Sequence, residues 1–353
     1  MVVSHQIAYA EINNLLNNEG RSLSDFPSMN QTVITHISSE NNDELLQTEH
    51  AEIGKKQYDV LNEQQKEIVD IVLEKAIDID NLDNNCIYIN GPGGFGKTFI
   101  YTTIYHLLCS KNIKVTSMTF TGIAAILLPK GKTVHKTFGL PVPMYSDSSS
   151  SIRAQSKEGL LLKETKVFIW DEAPMAPRYA LEIVNRTLQN IMNNNLPFGG
   201  KVVVLGGDFR QLLPIKMNGT RTETLNLSIK YSESWRHFIK YNLTTNMRVL
   251  PNEIDFAKFL LLVGDGTLND QQDNITLPGH CILDKNDDIV RHVFKKLITE
   301  KKFDVISKRA ILSARNLDVD ELNKLVTDLL DITTEHMRTV TTVNLMKYFC
   351  QNI

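Results

Sequence analysis

The chain has 353 residues, 42% of them hydrophobic and 22% charged, with a formal net charge of −3. That length suffices for about two domains with full cores, and the charge counts against a protein that coats nucleic acid by its global field, though not against one that grips a strand in a local groove. Cys86, Cys109, Cys281 and Cys350 have neither metal-ligand nor disulfide-scaffold spacing, and no secretory pattern or apolar run of the ~20 residues that span a bilayer is visible.

Residues 1–57 are polar and rich in Asn, with one amphipathic stretch, IAYAEINNLL, that predicts a helix in an otherwise irregular lead-in. From Leu61 the pattern changes. LNEQQKEIVDIVLEKAI carries apolar residues at helical spacing, CIYIN is an apolar run of strand length, and FIYTTIYHLLCSK reads as a helix. The alternation continues with KVTSMTF as a strand, TGIAAILL as a helix, KVFIWDE as a strand, RYALEIVNRTLQNIMNN as a helix and KVVVLGGD as a strand. Strands alternating with helices predict an α/β fold around a mainly parallel sheet. The continuous apolar runs VFIW and VVVL are those of strands buried on both faces. The Ser-rich segment 146–159 reads as a surface loop. Farther on, NEIDFAKFLLLVGDG predicts a helix ending at Gly264, and RAILSARNLDVDELNKLVTDLL a strand, a loop and a helix. The last stretch, after about residue 330, carries no recognisable motif. The domains expected are 1–57 as the lead-in, 58–245 as the first folded domain and 246–353 as part of a second.

Gly91, Pro92, Gly93, Gly94, Phe95, Gly96, Lys97 and Thr98 form a G-x-x-x-x-G-K-T loop between a strand and a helix. Glycines let such a loop curl its N–H groups inward, where they and the helix N-terminus cradle a phosphate. Lys97 would reach the β/γ-phosphates of ATP, and the Thr98 hydroxyl would bind Mg²⁺. Asp171 and Glu172 end the strand VFIWDE. Asp171 would hold Mg²⁺, and Glu172 would polarise the attacking water. GGDFRQ ends a third strand at the same sheet edge, where ligands of open α/β sheets bind. Gln211 would sense the γ-phosphate there, with Asp208 supporting the metal from behind.

The series LNEQQ, GPGGFGKT, TFTGIAAILL, GKTVHKTFGLP, WDEAPM, GGDFRQLLP and LTTNMR resembles the Pif1-like superfamily 1 helicases, most nearly the branch carried by Helitron transposable elements. The resemblance runs over about residues 8–326. It implies a RecA-like P-loop NTPase domain followed by a second RecA-like domain, for which ILSARNLDVDELN resembles the opening strand and loop. It further implies that Gln65 reads the adenine edge and that Thr121 and Gly122 grip a single-strand backbone. His135, Lys136 and Phe138 would contact backbone and stack on bases, the alternative being a core phenylalanine beside a satisfied histidine. Arg248 would cross from the second motor domain to the γ-phosphate. Two later family motifs, one carrying a second arginine, are not found before Ile353, so the second RecA-like domain is expected to be incomplete.

The function implied is an ATP-dependent DNA helicase, moving 5′ to 3′ on single-stranded DNA and opening duplex DNA. Its family-level roles lie in repair, recombination and telomere maintenance, and nuclear residence is implied. A basic strip is expected near Lys130, Lys132 and Lys136. No membrane is expected, and a monomer is the default with the oligomeric state open. Two competing readings are a mobile-element remnant that binds ATP or DNA without unwinding, and a P-loop ATPase acting on protein or small molecules. Gln65 and TGIAA oppose the latter.

Overall fold

The computed structural model describes residues 45–78, 85–211, 214–216, 219–284, 287–313 and 315–329. The expected helix at IAYAEINNLL and the tail after about 330 lie outside them. The chain divides into two compact units, Met1–Asp265 and Gly266–Ile353, a later division than the boundary expected at 245.

In the first unit α1 (Gln47–Asp59) and α2 (Glu63–Ile77) precede β1 (Cys86–Asn90) and α3 (Lys97–Cys109). Then come β2 (Val115–Thr119), the short α4 (Gly122–Ala125), β3 (Lys132–Thr133), α5 (Val134–Phe138) and α6 (Lys157–Glu164). β4 (Val167–Asp171), α7 (Arg178–Met192), β5 (Val202–Gly207), α8 (Arg221–Leu225), β6 (Phe238–Asn242) and α9 (Ile254–Gly264) complete it. The six strands form one sheet in the order β3-β2-β4-β5-β1-β6, with every neighbouring pair parallel.

The side-chain alternation of strands gives the sheet two cores. Val167 and Ile169 of β4, Val202 and Val204 of β5, and Ile87 and Ile89 of β1 face Ile68 and Val72 of α2 and Ile100, Ile104 and Leu108 of α3. Phe168 and Trp170, Val203 and Leu205, and Cys86 and Tyr88 face the opposite way, against Ala180, Leu181, Val184 and Leu188 of α7. Both faces are dry, which is why these strands read as unbroken apolar runs.

Three expectations change. The helix at TGIAAILL stops at Ala125, because Pro129 lies ahead and Lys130 takes a positive φ of 49°. Segment 146–159 is a loop only to Ser156, whose hydroxyl accepts from Gly159 N–H and caps α6. In the second unit the expected strand at RAILSAR is absent. Residues 309–313 lie in no helix or strand, and no strand occurs among the described residues of Gly266–Ile353. Among the described residues of this unit no other strand offers that apolar run a ladder to pair with. The regular elements described there are helical, the α-helices being Lys296–Thr299, Phe303–Ile306 and Asn316–Leu329, around a small core of Val290, Phe294, Leu297, Ile306 and Val326.

Candidate active site

The carboxyl ends of β1, β4 and β5 converge on one edge of the sheet. After β1 the chain turns through Gly94 and Gly96, with φ of 87° and 82°, into the first turn of α3. A side chain at Gly96 would meet the Gln65 amide at 2.5 Å, so the loop needs glycine there for space as well as for its backbone. Phe95 turns its ring into the core and offers only backbone to the loop. Thr98 is half-buried in the first turn of α3, where backbone N–H groups lack helical partners.

Lys97 is buried, and its ammonium donates to the carbonyls of Gly91 at 2.5 Å and Pro92 at 3.2 Å. Asp171 is buried at the end of β4 and accepts from Glu172 N–H at 2.9 Å. Burial pushes the Asp171 carboxyl up, opposed by the charge of Lys97. Glu172 follows in a left-handed conformation, φ 54°, a strained backbone of the kind found where a side chain must be aimed. Burial, then the neighbouring Asp171 charge, push its carboxyl from 4.5 to about 7, against the pull of Lys97. Asp208, buried at the end of β5, accepts from Arg210 N–H at 3.1 Å and Nη1 at 3.3 Å. Arg210 also donates through Nε to Asp265 at 2.6 Å. Gln211 is exposed in the turn beyond, its N–H donating to Asp208 O at 3.2 Å.

Gln65 is buried behind the loop. It closes a capping box with Asn62 and donates from Nε2 to Phe95 O at 3.3 Å. It braces the P-loop, and both ends of its amide are occupied. Arg248 corrects an expectation. It belongs to the first unit and not to a second domain, because β6 runs parallel beside β1 and returns the chain to the same edge. Met247 N–H donates to Gly94 O at 2.8 Å, and Asn246 Oδ1 accepts from Arg248 N–H at 2.9 Å. The segment NMR is thereby clipped onto the P-loop, with the Arg248 side chain exposed.

The proposed strand-gripping residues separate. Thr121 caps α4 and accepts from Ala124 N–H at 3.4 Å, with Gly122 half-buried beside it. The His135 ring lies 5.0 Å from Phe120, and burial lowers its pKa. Phe138 does not face this edge. It is fully buried, 5.5 Å from the Phe168 ring, so it is the core phenylalanine of the alternative and has no face to offer a base. Phe138→Ala should destabilise the fold by about 3–5 kcal/mol in denaturant unfolding, and any loss of DNA affinity should follow the unfolded fraction. Lys130, Lys132 and Lys136 line one groove along the β3 edge, together with Lys157.

Sequence reasoning missed Gln64, Tyr101, Arg210 and Asn246. Gln64 joins α2 to the end of β6 through Asn242 O and Thr244 N–H, at 2.5 and 3.0 Å. Three of the four stand inside the quoted motifs. Tyr101 was legible only from its place one turn after Lys97.

A family model described as PIF1-like helicase matches residues 60–274. The chain is 34% identical over 146 residues to the ATP-dependent DNA helicase Pif1 of Psychrobacter sp., covering 41% of this chain and 22% of that protein. It is 32% identical over 162 residues to the ATP-dependent DNA helicase RRM3 of Saccharomyces cerevisiae, covering 44% and 21%. The chain thus spans about a fifth of the length of these curated relatives. A solved structure of Pif1 helicases unwinding forked dsDNA superposes with a TM-score of 0.53 at 22% identity, over 75% of this chain and 57% of that one. The Bacteroides Pif1 complex with ADP-AlF3 and ssDNA gives 0.52 at 20% identity, over 75% and 56%. At such identity the likeness shows the fold, a RecA-like domain.

Proposed function

The chain belongs to the PIF1-like helicase family, and on that premise we propose that it is the ATP-hydrolysing motor core of a DNA helicase. The observation that carries the reading is the convergence of Lys97, Asp171 and Glu172 on one sheet edge beside a left-handed glycine loop. The Lys97 ammonium, held against the Gly91 and Pro92 carbonyls, is placed to exchange them for β/γ-phosphate oxygens. Glu172, poised near neutrality, takes the proton of the water that attacks the γ-phosphorus as ADP departs. Arg248, on the segment clipped to Gly94, offers its charge to the transferring phosphoryl group. For Gln65 to read adenine, its amide must exchange Phe95 O for the base.

The residues present fit Mg²⁺. Thr98 and Asp171 offer hard oxygen donors, the Asp171 carboxylate keeps acceptor capacity beyond its bond to Glu172 N–H, and Mg²⁺ takes one or two protein ligands with phosphates and water filling the rest. When bound it neutralises charge on the β- and γ-oxygens.

Single-stranded DNA is the track in this reading, gripped by Thr121 and Gly122, with His135 and Phe120 at the same strand end and Lys136 in the basic groove. Duplex unwinding, 5′ to 3′ movement, the Helitron-like branch, nuclear residence and roles in repair, recombination and telomere maintenance belong to the same proposal. Relatives occur in bacteria as well as in yeast, so nuclear residence rests on the eukaryotic ones. DNA-stimulated ATP hydrolysis tests the reading as a whole. The groove is tested by replacing Lys130, Lys132 and Lys136 together with Gln. The dependence of log K on log salt for single-stranded DNA should then flatten by about 2, at ~0.7 per phosphate contact. An unchanged slope would remove the groove from the DNA path.

A further inference from the structure

Tyr101 follows Lys97 by one turn of α3, so the two side chains leave the helix on the same face. The Tyr101 ring is fully buried. Its hydroxyl reaches β5 at Gly206, where an added Cβ would lie 1.5 Å from the phenolic oxygen. Only glycine admits the hydroxyl at that point. Gly206 pairs with Ile89 of the P-loop strand on one side. On the other, the register that pairs Trp170 with Leu205 sets Asp171 beside Gly206. The hydroxyl therefore sits where the phosphate-loop strand and the acidic strand meet. No hydrogen bond of good geometry reaches it among the described residues, but the Asp171 carboxylate lies within interacting range as an acceptor, and the charges that act on it most are Asp171 and then Glu172. A buried phenol without a partner is disfavoured, and phenylalanine would fill the same space without that cost.

We propose that Tyr101 is a positioning residue for Asp171: its hydroxyl donates to the Asp171 carboxylate in the nucleotide-loaded state and fixes the orientation in which that carboxylate meets Mg²⁺. The inference rests on the reading of this edge as a Mg·ATP site. The α3 face thus serves the site twice, with Lys97 for the phosphates and Tyr101 for the carboxylate that holds the metal. Gly206 is glycine because the hydroxyl passes it.

The test is a Mg²⁺ titration of fluorescent ATP-analogue binding by the full chain, wild type against Tyr101→Phe, beside thermal unfolding of both. The expected result is that Tyr101→Phe raises the half-saturating Mg²⁺ concentration by about tenfold, as loss of a partner to a metal-binding group does. Mg²⁺-free binding and the melting temperature should stay level or rise. An unmoved Mg²⁺ midpoint overturns the proposal. Equal loss of Mg²⁺-free and Mg²⁺-dependent binding with a lowered melting temperature also overturns it, because Tyr101 would then be a packing residue. A wild type whose analogue binding ignores Mg²⁺ would sink the metal-nucleotide reading itself, a result distinct from either.

Discussion

Glu172→Gln should bind ATP as tightly as the wild type and hydrolyse it about 10²–10⁴ times more slowly, the usual worth of a positioned general base. The substitution keeps size and hydrogen-bonding reach and removes a carboxyl that burial and the Asp171 charge hold at about 7. Two causes set that value of about 7, first burial and then the Asp171 charge alongside. Hydrolysis by the wild type should therefore fall as the pH drops through about 7. Bound Mg²⁺ adds positive charge nearby and so moves this acid limb to lower pH. Stability runs the other way. The unfolded chain releases this proton near 4.5, whereas the folded chain keeps it to about 7. Between those values the native state holds more protons, and the contribution of this site to stability declines as the pH rises. Glu172→Gln, neutral throughout, should lose that slope. Steady-state hydrolysis and chemical unfolding across pH 5–9 check both parts, and a Gln variant with full activity would remove Glu172 from the chemistry.

Lys97→Ala should abolish measurable hydrolysis and weaken ATP binding, with a loss of at least about 10²–10³ in turnover, the cost of one preorganised charge-stabilising donor. The ammonium donates to Gly91 and Pro92 carbonyls at the turn, so its removal also frees the loop from its own internal clamp. It is the main positive charge opposing protonation of both Asp171 and Glu172. Without it both carboxyls should move further up, so any residual turnover should have its acid limb at higher pH than the wild type. Calorimetric ATP binding together with turnover separates the two effects. Retained turnover would mean that the phosphates sit elsewhere.

The parallel sheet was legible because its central strands are dry on both faces. VFIW and VVVL carry apolar residues at every position, and each ends in the polar or glycine residues that build the site. The edges were less legible. β3 is two residues long, and β6, FIKYN, is only partly buried, so neither shows a continuous apolar run. Missing β6 hid the return of the chain beside β1, and with it the position of Arg248 on the first unit. Phe138 shows the limit of motif matching. Position in a motif says that a residue matters but not which way it faces, and burial against Phe168 decided that. The second unit failed for the opposite reason. RAILSAR has a strand-like composition, but a strand exists only where another strand accepts its hydrogen bonds.

The most direct test of the account is ATP hydrolysis by the purified chain with and without single-stranded DNA, with Lys97→Ala alongside. The account predicts hydrolysis that single-stranded DNA stimulates and that the variant lacks. Turnover indifferent to DNA would contradict a DNA motor and favour another P-loop ATPase, and tight ATP binding without turnover in either condition would contradict the assignment of this edge as a working hydrolytic site.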